Sequence, residues 1–356
     1  MPNKKKADVS YRPKLILHVG LPKTGTSAIQ AALYGHREKL KLKGALYSNV
    51  GLWHDHSHHL IAFALHPEIR ENAPVAWEEI KKELTIEANT FQGNFIIISS
   101  EVLSSLTEVS EFDDFCSFLK QNYEDVFVVF SLRNVYDYAD SYYRQVVRDP
   151  GYQYPYCCGQ FVVDGPLPLN WCRQLHRWSK AFGGENVVVT HYDRSAGISN
   201  TLGEITTRVG ISLDEISFVE VKNQSLNNLA LFMMLILNIS QGNARYSDHE
   251  GDIKSILAVC EGFERQSNIG SGYKVVLFNR FWAENAVDFL GLTPIKGWEK
   301  AIHDAFGAPC FDGTDDGFLE GVPETLFDRL SELNSSAYLR MKRVISEPEW
   351  WRRLRL

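Results

Sequence analysis

The sequence has no long hydrophobic run, few cysteines and no excess of basic residues. No segment approaches the roughly 18 consecutive apolar residues that a membrane span needs, so we expect no transmembrane segment. The Lys-rich start also lacks an apolar region of signal-peptide length, which favours a cytoplasmic protein. The formal net charge is −7, from 37 Lys and Arg residues against 44 Asp and Glu residues. This balance argues against a protein that coats nucleic acid, and nucleic acid is not an expected partner.

The six cysteines include no pair with the CxxC spacing of zinc sites. In a chain of this length, scattered cysteines are typical of reduced thiols in a cytoplasmic protein. Histidines crowd the segment 54–59, but no cysteine partner or HExxH helix lies nearby. The sequence therefore predicts no metal site.

Four short apolar runs predict buried strands, because near-continuous hydrophobicity is typical of parallel strands that are covered on both faces. The runs are Lys14–Gly20, Asn94–Ser99, Asp125–Leu132 and Asn186–His191. Helical spacing follows or separates them, at Thr26–Lys43, Val75–Phe91, Glu111–Asn122, Val135–Arg148 and Leu169–Phe182. Strands that alternate with helices predict an α/β fold with a parallel sheet flanked by helices.

The hydrophobic pattern divides the chain into three parts. Residues 1–13 are polar and basic, and we expect them to form a flexible tail. Residues 14–215 contain the alternating strands and helices and form the predicted α/β core. The strand-like runs then stop and helical patterns follow, so residues 216–356 are predicted to be a helical part that packs on the core. Together they are expected to make one domain.

The clearest motif follows the first predicted strand and reads His-Val-Gly-Leu-Pro-Lys-Thr-Gly-Thr-Ser over residues 18–27. A strand, a glycine-bearing turn and a helix that opens with Thr-Ser form the context in which backbone N–H groups cradle a phosphate. Gly20 and Gly25 have the separation of the GxxxxGK[ST] pattern, but Thr26 stands where that pattern has lysine. The lysine comes earlier, at Lys23, beside the group bound at the turn. A plain strand-to-helix turn with a surface lysine is the alternative.

The segment Leu-Pro-Lys-Thr-Gly-Thr-Ser resembles the 5′-phosphosulfate loop of sulfotransferases that use 3′-phosphoadenosine 5′-phosphosulfate (PAPS). That family usually has Pro-Lys-Ser-Gly-Thr-Thr followed by an aromatic residue, so Thr24 and Ser27 are conservative departures and Ala28 lacks the aromatic ring. The segment is more similar to bacterial, carbohydrate-type members than to the cytosolic enzymes that act on small phenols. The resemblance implies a P-loop-containing, sulfotransferase-like fold, PAPS as cofactor, 3′-phosphoadenosine 5′-phosphate (PAP) as product, and no required metal. The residues that would bind the phosphosulfate are Pro22, Lys23, Thr24, Gly25, Thr26 and Ser27.

A second anion site is expected for the 3′-phosphate of PAPS. Arg133 ends a predicted parallel strand, at the edge of the sheet where such folds bind ligands. Ser141 follows eight residues later, slightly over two helical turns on. The pair resembles the family's 3′-phosphate motif, in which arginine and serine have this separation. The alternative is an ion-paired arginine and a serine on a helix surface.

Sulfuryl transfer also needs a group that accepts the proton of the acceptor hydroxyl or amine. Glu101 is the first candidate, because it follows the predicted strand 94–99 at the edge that also carries Lys23 and Arg133. A carboxylate in the first turn of a helix is an equally ordinary role for it. His59 is the second candidate for the base, and His58 is a candidate for contact with the substrate. Lys23 is expected to be catalytic as well, because it would neutralise the departing phosphate.

The acceptor is expected to be a small molecule or a glycan, and the family resemblance favours a carbohydrate or glycoconjugate. Tyr152 and Tyr154 lie in a segment rich in Gly, Pro and Tyr, where aromatic rings can stack on sugars. Two other functions stay open: a P-loop kinase that uses ATP, and a nucleotide-binding protein without catalytic activity on the same fold. The sequence does not determine the oligomeric state.

Overall fold

The structure is a computed structural model that describes residues 11–216, except for short gaps at 69, 71–72, 150–151, 153, 155–160, 163–166 and 194–195. Beyond residue 216 it describes only single positions between 231 and 284. The predicted tail up to residue 10 and almost all of the predicted helical part 216–356 therefore lie outside the described residues. Residues 11–13 are attached to the core, since the Tyr11 hydroxyl donates to the Gly93 carbonyl and the Glu124 amide donates to the Pro13 carbonyl.

Five parallel strands form one sheet, in the order β2-β3-β1-β4-β5. The strands are β1 Lys14–His18, β2 Ala45–Tyr47, β3 Phe95–Ser99, β4 Val126–Arg133 and β5 Val187–Tyr192. The sheet and its helices confirm the predicted α/β class. Strand β2 was not predicted from the sequence, because a strand of three residues is too short to show a hydrophobic period.

Eight α-helices lie in the described part of the chain. They are α1 Thr26–Gly35, α2 Arg37–Leu42, α3 His59–Leu65, α4 Trp77–Thr90, α5 Glu111–Asn122, α6 Val135–Arg148, α7 Trp171–Phe182 and α8 Ser199–Arg208. Three 3₁₀ helices accompany them, at Glu101–Glu108, Gly184–Asn186 and Leu213–Glu215. The helix predicted over 26–43 is two helices, because the chain leaves helical geometry at His36, whose ring bonds back to the Ala32 carbonyl at 2.9 Å.

The strand order places a topological switch point at the carboxyl end of β1. The chain leaves β1 towards β2 at one edge of the sheet, whereas from β4, which neighbours β1, it continues towards β5 at the other edge. Open α/β sheets bind their ligands in the crevice at such a point, beyond the carboxyl ends of the strands. The loop 19–25, which follows β1, lies at this position.

The strands are hydrophobic along their whole length because both faces of the sheet are covered. On one face, side chains of the central strands pack into a cluster with α1, α2 and α8; its members include Ile16, Ile97, Val129, Ile29, Leu33, Leu40, Leu202 and Ile205. α7 packs against β4 and β5. Phe112 of α5 and Trp178 of α7 meet edge to face, with ring centroids 4.8 Å apart. This packing holds the strands whose carboxyl ends form the edge of the sheet next to the loop 19–25.

The chain forms two compact units. The first contains the sheet and the described residues up to Asn134 and from Asn170 to Ile216. The second contains α6 and the described residues up to Leu169, together with the described positions beyond 221. Inside the second unit, the Asn238 amide donates to the carbonyls of Val147 and Tyr154 at 2.9 and 3.1 Å.

Two glycines offer a matched test of the backbone. Gly25 has φ +80°, and a Cβ there would lie 2.7 Å from Ile198 and 2.9 Å from Tyr192. Gly203 lies inside α8, where a Cβ would meet only Leu213, at 4.0 Å. We expect Gly25→Ala to lower the free energy of unfolding by about 1–3 kcal/mol, through backbone strain and collision. Gly203→Ala should raise it by about 0.5–1 kcal/mol, because alanine favours the helix.

Denaturant unfolding followed by circular dichroism measures both variants. Equal stability changes of the same sign would show that the left-handed turn at Gly25 is not required by the fold.

Candidate functional site

The loop after β1 has the conformation of an anion cradle. Lys23 and Gly25 have φ of +66° and +80°, so two left-handed residues flank Thr24. The buried Thr24 hydroxyl donates to the Leu21 carbonyl at 2.6 Å and closes the turn. Left-handed residues on either side of a residue that is not left-handed turn successive backbone N–H groups towards one concave side of the loop. The N-terminus of α1 adds the positive end of its helix dipole. The loop predicted from the sequence therefore has a geometry suited to phosphate.

The inner side of this loop is tightly packed. A Cβ at Gly20 would lie 3.0 Å from His18 Nε2, 3.2 Å from the Thr24 hydroxyl and 3.3 Å from Ser131 Cβ. A larger residue at position 20 would push into these groups. Gly20 is thus required by close packing beneath the loop.

His18 is a residue that the sequence analysis did not single out. It is completely buried, and its Nδ1 lies 2.8 Å from the Ser99 hydroxyl on the neighbouring strand. Its Nε2, directed at Gly20, is buried without a hydrogen-bond partner. Burial lowers the pKa of His18 to about 4, so the ring is neutral at pH 7. A polar residue at the end of an otherwise apolar strand was the signal that could have identified it.

Arg133, predicted to bind the 3′-phosphate, lies directly beside the loop. It ends β4, is 7% exposed, and donates from Nη1 to the Lys23 carbonyl at 2.8 Å. Its guanidinium also lies 5.2 Å from the centre of the Tyr192 ring. Arg133 and the Lys23 loop, separated by 110 positions in the sequence, are therefore neighbours in the fold. Ser141 is half-buried on α6 in the second unit, and its pairing with Arg133 stays a prediction.

The two candidates for the base are brought together. Glu101 begins the 3₁₀ helix that follows β3, and its Oε1 lies 3.8 Å from Nε2 of His59, the first residue of α3. The His59 Nδ1 lies 2.7 Å from the Ser100 hydroxyl. A second carboxylate, Asp55, places its Oδ2 3.8 Å from the same Nε2. His59 is thus flanked by two carboxylates, an arrangement that the sequence analysis did not foresee.

Asp55 is held in a fixed orientation by its own loop. The Ser57 amide and hydroxyl both donate to its Oδ1, at 3.0 and 2.5 Å. These hydrogen bonds, together with the nearby His59, lower the pKa of Asp55 despite the opposing effect of partial burial. Asp55 therefore carries a negative charge beside His59 at neutral pH.

Gln30 connects Glu101 to α1, the helix that follows the loop after β1. It is completely buried in α1, and its Nε2 donates to Oε2 of Glu101 at 3.0 Å. Gln30 was not predicted from the sequence, although a glutamine at a buried position of an amphipathic helix is a visible departure from the apolar pattern.

His58, predicted to contact the substrate, has a structural position. It is completely buried, and the Ser99 amide donates to its Nδ1 at 3.0 Å. Because Nδ1 accepts this hydrogen bond, Nε2 carries the proton and donates to the Ser48 carbonyl at 3.0 Å. Burial lowers the pKa of His58 to about 4. Both nitrogens tie the segment after β2 to β3, and we leave His58 out of the proposed site.

Tyr152 and Tyr154, the predicted acceptor contacts, belong to the second unit. Tyr152 is 56% exposed, whereas Tyr154 packs its ring against Phe161 at 5.4 Å. Burial and the neighbouring Tyr152 raise the pKa of Tyr142 to about 12. Stacking of a sugar on Tyr152 stays a prediction, and Tyr154 has a packing role.

No family model, curated protein or solved structure matches the chain. Within the described residues, no group of three or more histidine, cysteine, aspartate or glutamate side chains is arranged to hold a metal ion. None of the described helices combines the length and hydrophobicity needed to cross a membrane. The interpretation of the site therefore depends on its own geometry.

The buried histidines predict a loss of stability in acid. The pKa of His58 is about 4 in the folded protein and about 6.5 in the unfolded chain, so only the unfolded chain binds the proton between these values. Stability contributed by the neutral ring is present above pH 6.5 and is lost as the pH falls towards 4. The free energy of unfolding of His58→Gln, which can keep both hydrogen bonds, should fall by roughly 2 kcal/mol less than that of the wild type between pH 7 and pH 5.

Urea unfolding at the two pH values measures the difference. His54→Gln, a change at an exposed histidine, is the control and should follow the wild type. Parallel curves for His58→Gln and the wild type would show that His58 is not neutral in the folded protein.

Proposed function

We propose that the protein transfers a sulfuryl group from PAPS to a hydroxyl or amine of an acceptor, with a carbohydrate or glycoconjugate as the expected acceptor class. The observation that supports this most is the hydrogen bond between Arg133 and the Lys23 carbonyl. It joins the two motifs that resemble the PAPS-binding motifs, at the carboxyl edge where α/β folds bind nucleotides.

The residues of the loop suit a phosphosulfate. The space around Gly20 excludes a side chain, and a neutral imidazole nitrogen of His18 lies beneath it. Lys23 and the N-terminus of α1 would bind the anion, and the Thr26 and Ser27 hydroxyls would add donors. Arg133 would hold the 3′-phosphate while it keeps the Lys23 backbone in place, with Ser141 as its predicted partner.

PAPS would supply an activated sulfuryl group whose bond to phosphate breaks as the acceptor oxygen or nitrogen attacks sulfur in line. Lys23 would neutralise the negative charge that develops on the departing phosphate oxygen. Glu101 would accept the proton of the acceptor group. The chemistry needs no metal, since the charge is balanced by protein cations and backbone dipoles.

Glu101 is the better candidate for the base because of the charges around His59. Two carboxylate oxygens lie 3.8 Å from Nε2 of His59, and they favour the neutral tautomer that carries its hydrogen on that nitrogen. A protonated Nε2 donates and cannot accept a further proton. We infer that Glu101, and not His59, accepts the proton.

Binding and transfer assays separate this proposal from its alternatives. We expect PAP to bind more tightly than ATP, and radiolabelled sulfate to pass from PAPS to an acceptor in a panel of methyl glycosides and simple alcohols. Lys23→Ala should lower the transfer rate by about a hundredfold or more, because it removes a cation that stabilises the leaving group. The matched control is Lys41→Ala, at an exposed lysine of α2, which should change neither the affinity for PAP nor the transfer rate.

Preference for ATP in the same calorimetric titration would favour the kinase alternative. Tight binding of PAP without any transfer would favour a nucleotide-binding protein that lacks catalytic activity.

A second pair of variants identifies the base. Glu101→Gln should lower kcat by about 10²–10⁴-fold, because the proton acceptor is lost while the shape of the side chain is kept. His59→Asn should have a smaller effect, and neither variant should change PAP affinity. Steady-state kinetics measures kcat, and calorimetry measures PAP binding. A larger loss of kcat for His59→Asn than for Glu101→Gln would assign the base to the histidine.

A further inference from the structure

We propose that Gln30 is a positioning residue that holds the Glu101 carboxylate at a fixed place relative to the phosphosulfate loop. This inference depends on the proposed function. Gln30 is completely buried, and its side-chain amide donates to Glu101 Oε2 at 3.0 Å. The reverse orientation would set the amide oxygen against a carboxylate oxygen, so the donor side of the amide faces Glu101.

Gln30 lies one helical turn after the start of α1, so it links the proposed donor site to the proposed base. Thr26 is the first residue of α1, and Gln30 follows it by four residues on the same side of the helix, one turn further on. The first turn of α1 is part of the proposed donor site, and the next turn contacts the proposed base. Because Ile29 and Leu33 anchor α1 in the core, the helix acts as a rigid spacer between the two.

The surroundings of Glu101 show why a dedicated support is needed. Its Oε1 faces His59 across 3.8 Å, which is too long for a hydrogen bond, so Gln30 makes the shorter contact. The other titratable groups near Glu101 are Tyr47 of β2 and, on the far side of His59, Asp55. A neutral donor beside a carboxylate favours its ionised form. Gln30 thus orients the Glu101 carboxylate.

Gln30→Leu is the first test, because leucine has a similar size and cannot donate a hydrogen bond. We expect kcat to fall about tenfold or more, as for loss of a hydrogen bond to a charged group. The KM for PAPS and the affinity for PAP should stay within twofold of the wild type. The acidic limb of the pH–rate profile should move to higher pH, which a merely structural role would not cause.

Gln174→Leu is the matched control, since Gln174 is a 2% exposed glutamine of α7 that bonds to Asn170. It should leave kcat and the pH profile unchanged. Gln30→Glu is the second variant: a carboxyl group added beside Glu101 should move the acidic limb to higher pH, and further than leucine does. If the leucine variant does not fold, the shift of the acidic limb in Gln30→Glu tests the contact between residue 30 and Glu101.

An activity-independent measurement completes the test. NMR of the protein labelled at its glutamate carboxyl carbons, with Glu101→Gln to assign the signal, follows ionisation of Glu101 directly. Its midpoint should lie at higher pH in Gln30→Leu than in the wild type. An active wild type together with unchanged kcat and an unchanged midpoint in the variant would overturn this inference alone. An inactive wild type would overturn the proposed function and this inference together.

Discussion

The site depends on how the loop after β1 is held in its left-handed conformation. A residue other than glycine at φ +66° costs on the order of 1–2 kcal/mol, and Lys23 is such a residue. Its carbonyl accepts a hydrogen bond from the buried Arg133, and the adjacent Thr24 hydroxyl closes the turn on Leu21. Because Arg133 ends β4, the shape of the loop is set by the sheet itself. The same residue thus links a strained backbone to the edge at which we place the nucleotide.

Polar groups are buried where the sheet meets this loop. Ser131, Thr190 and Thr201 bond to one another at 2.7–3.1 Å, and His18 and Ser99 form a second pair. Apolar residues would fill this space without any need for hydrogen bonds, so a polar layer under one loop is a departure from the hydrophobic pattern of the strands. Departures of this kind are expected at functional sites, where local rules yield to the requirements of a ligand.

The sequence predicted the central strands well because both faces of each are buried, which leaves a continuous apolar signal. It also predicted that Lys23, Arg133 and Glu101 share one edge, since parallel strands end together. The sequence could not predict contacts between side chains. The pairing of Glu101 with His59, and of Gln30 with Glu101, depends on how α1 and α3 pack around β3. The burial of His58 likewise follows from tertiary hydrogen bonds, which leave no local pattern in the sequence.

Two histidines illustrate how bonding separates structural residues from residues of a site. His18 and His58 are both completely buried and neutral, and both lie beside Ser99. A neutral imidazole has one donor and one acceptor, and His58 uses both on backbone groups. His18 uses only Nδ1, and its Nε2 points to Gly20 beneath the anion loop. Since an unsatisfied buried nitrogen costs about 1–3 kcal/mol, packing alone does not explain histidine at position 18, whereas it fully explains histidine at position 58.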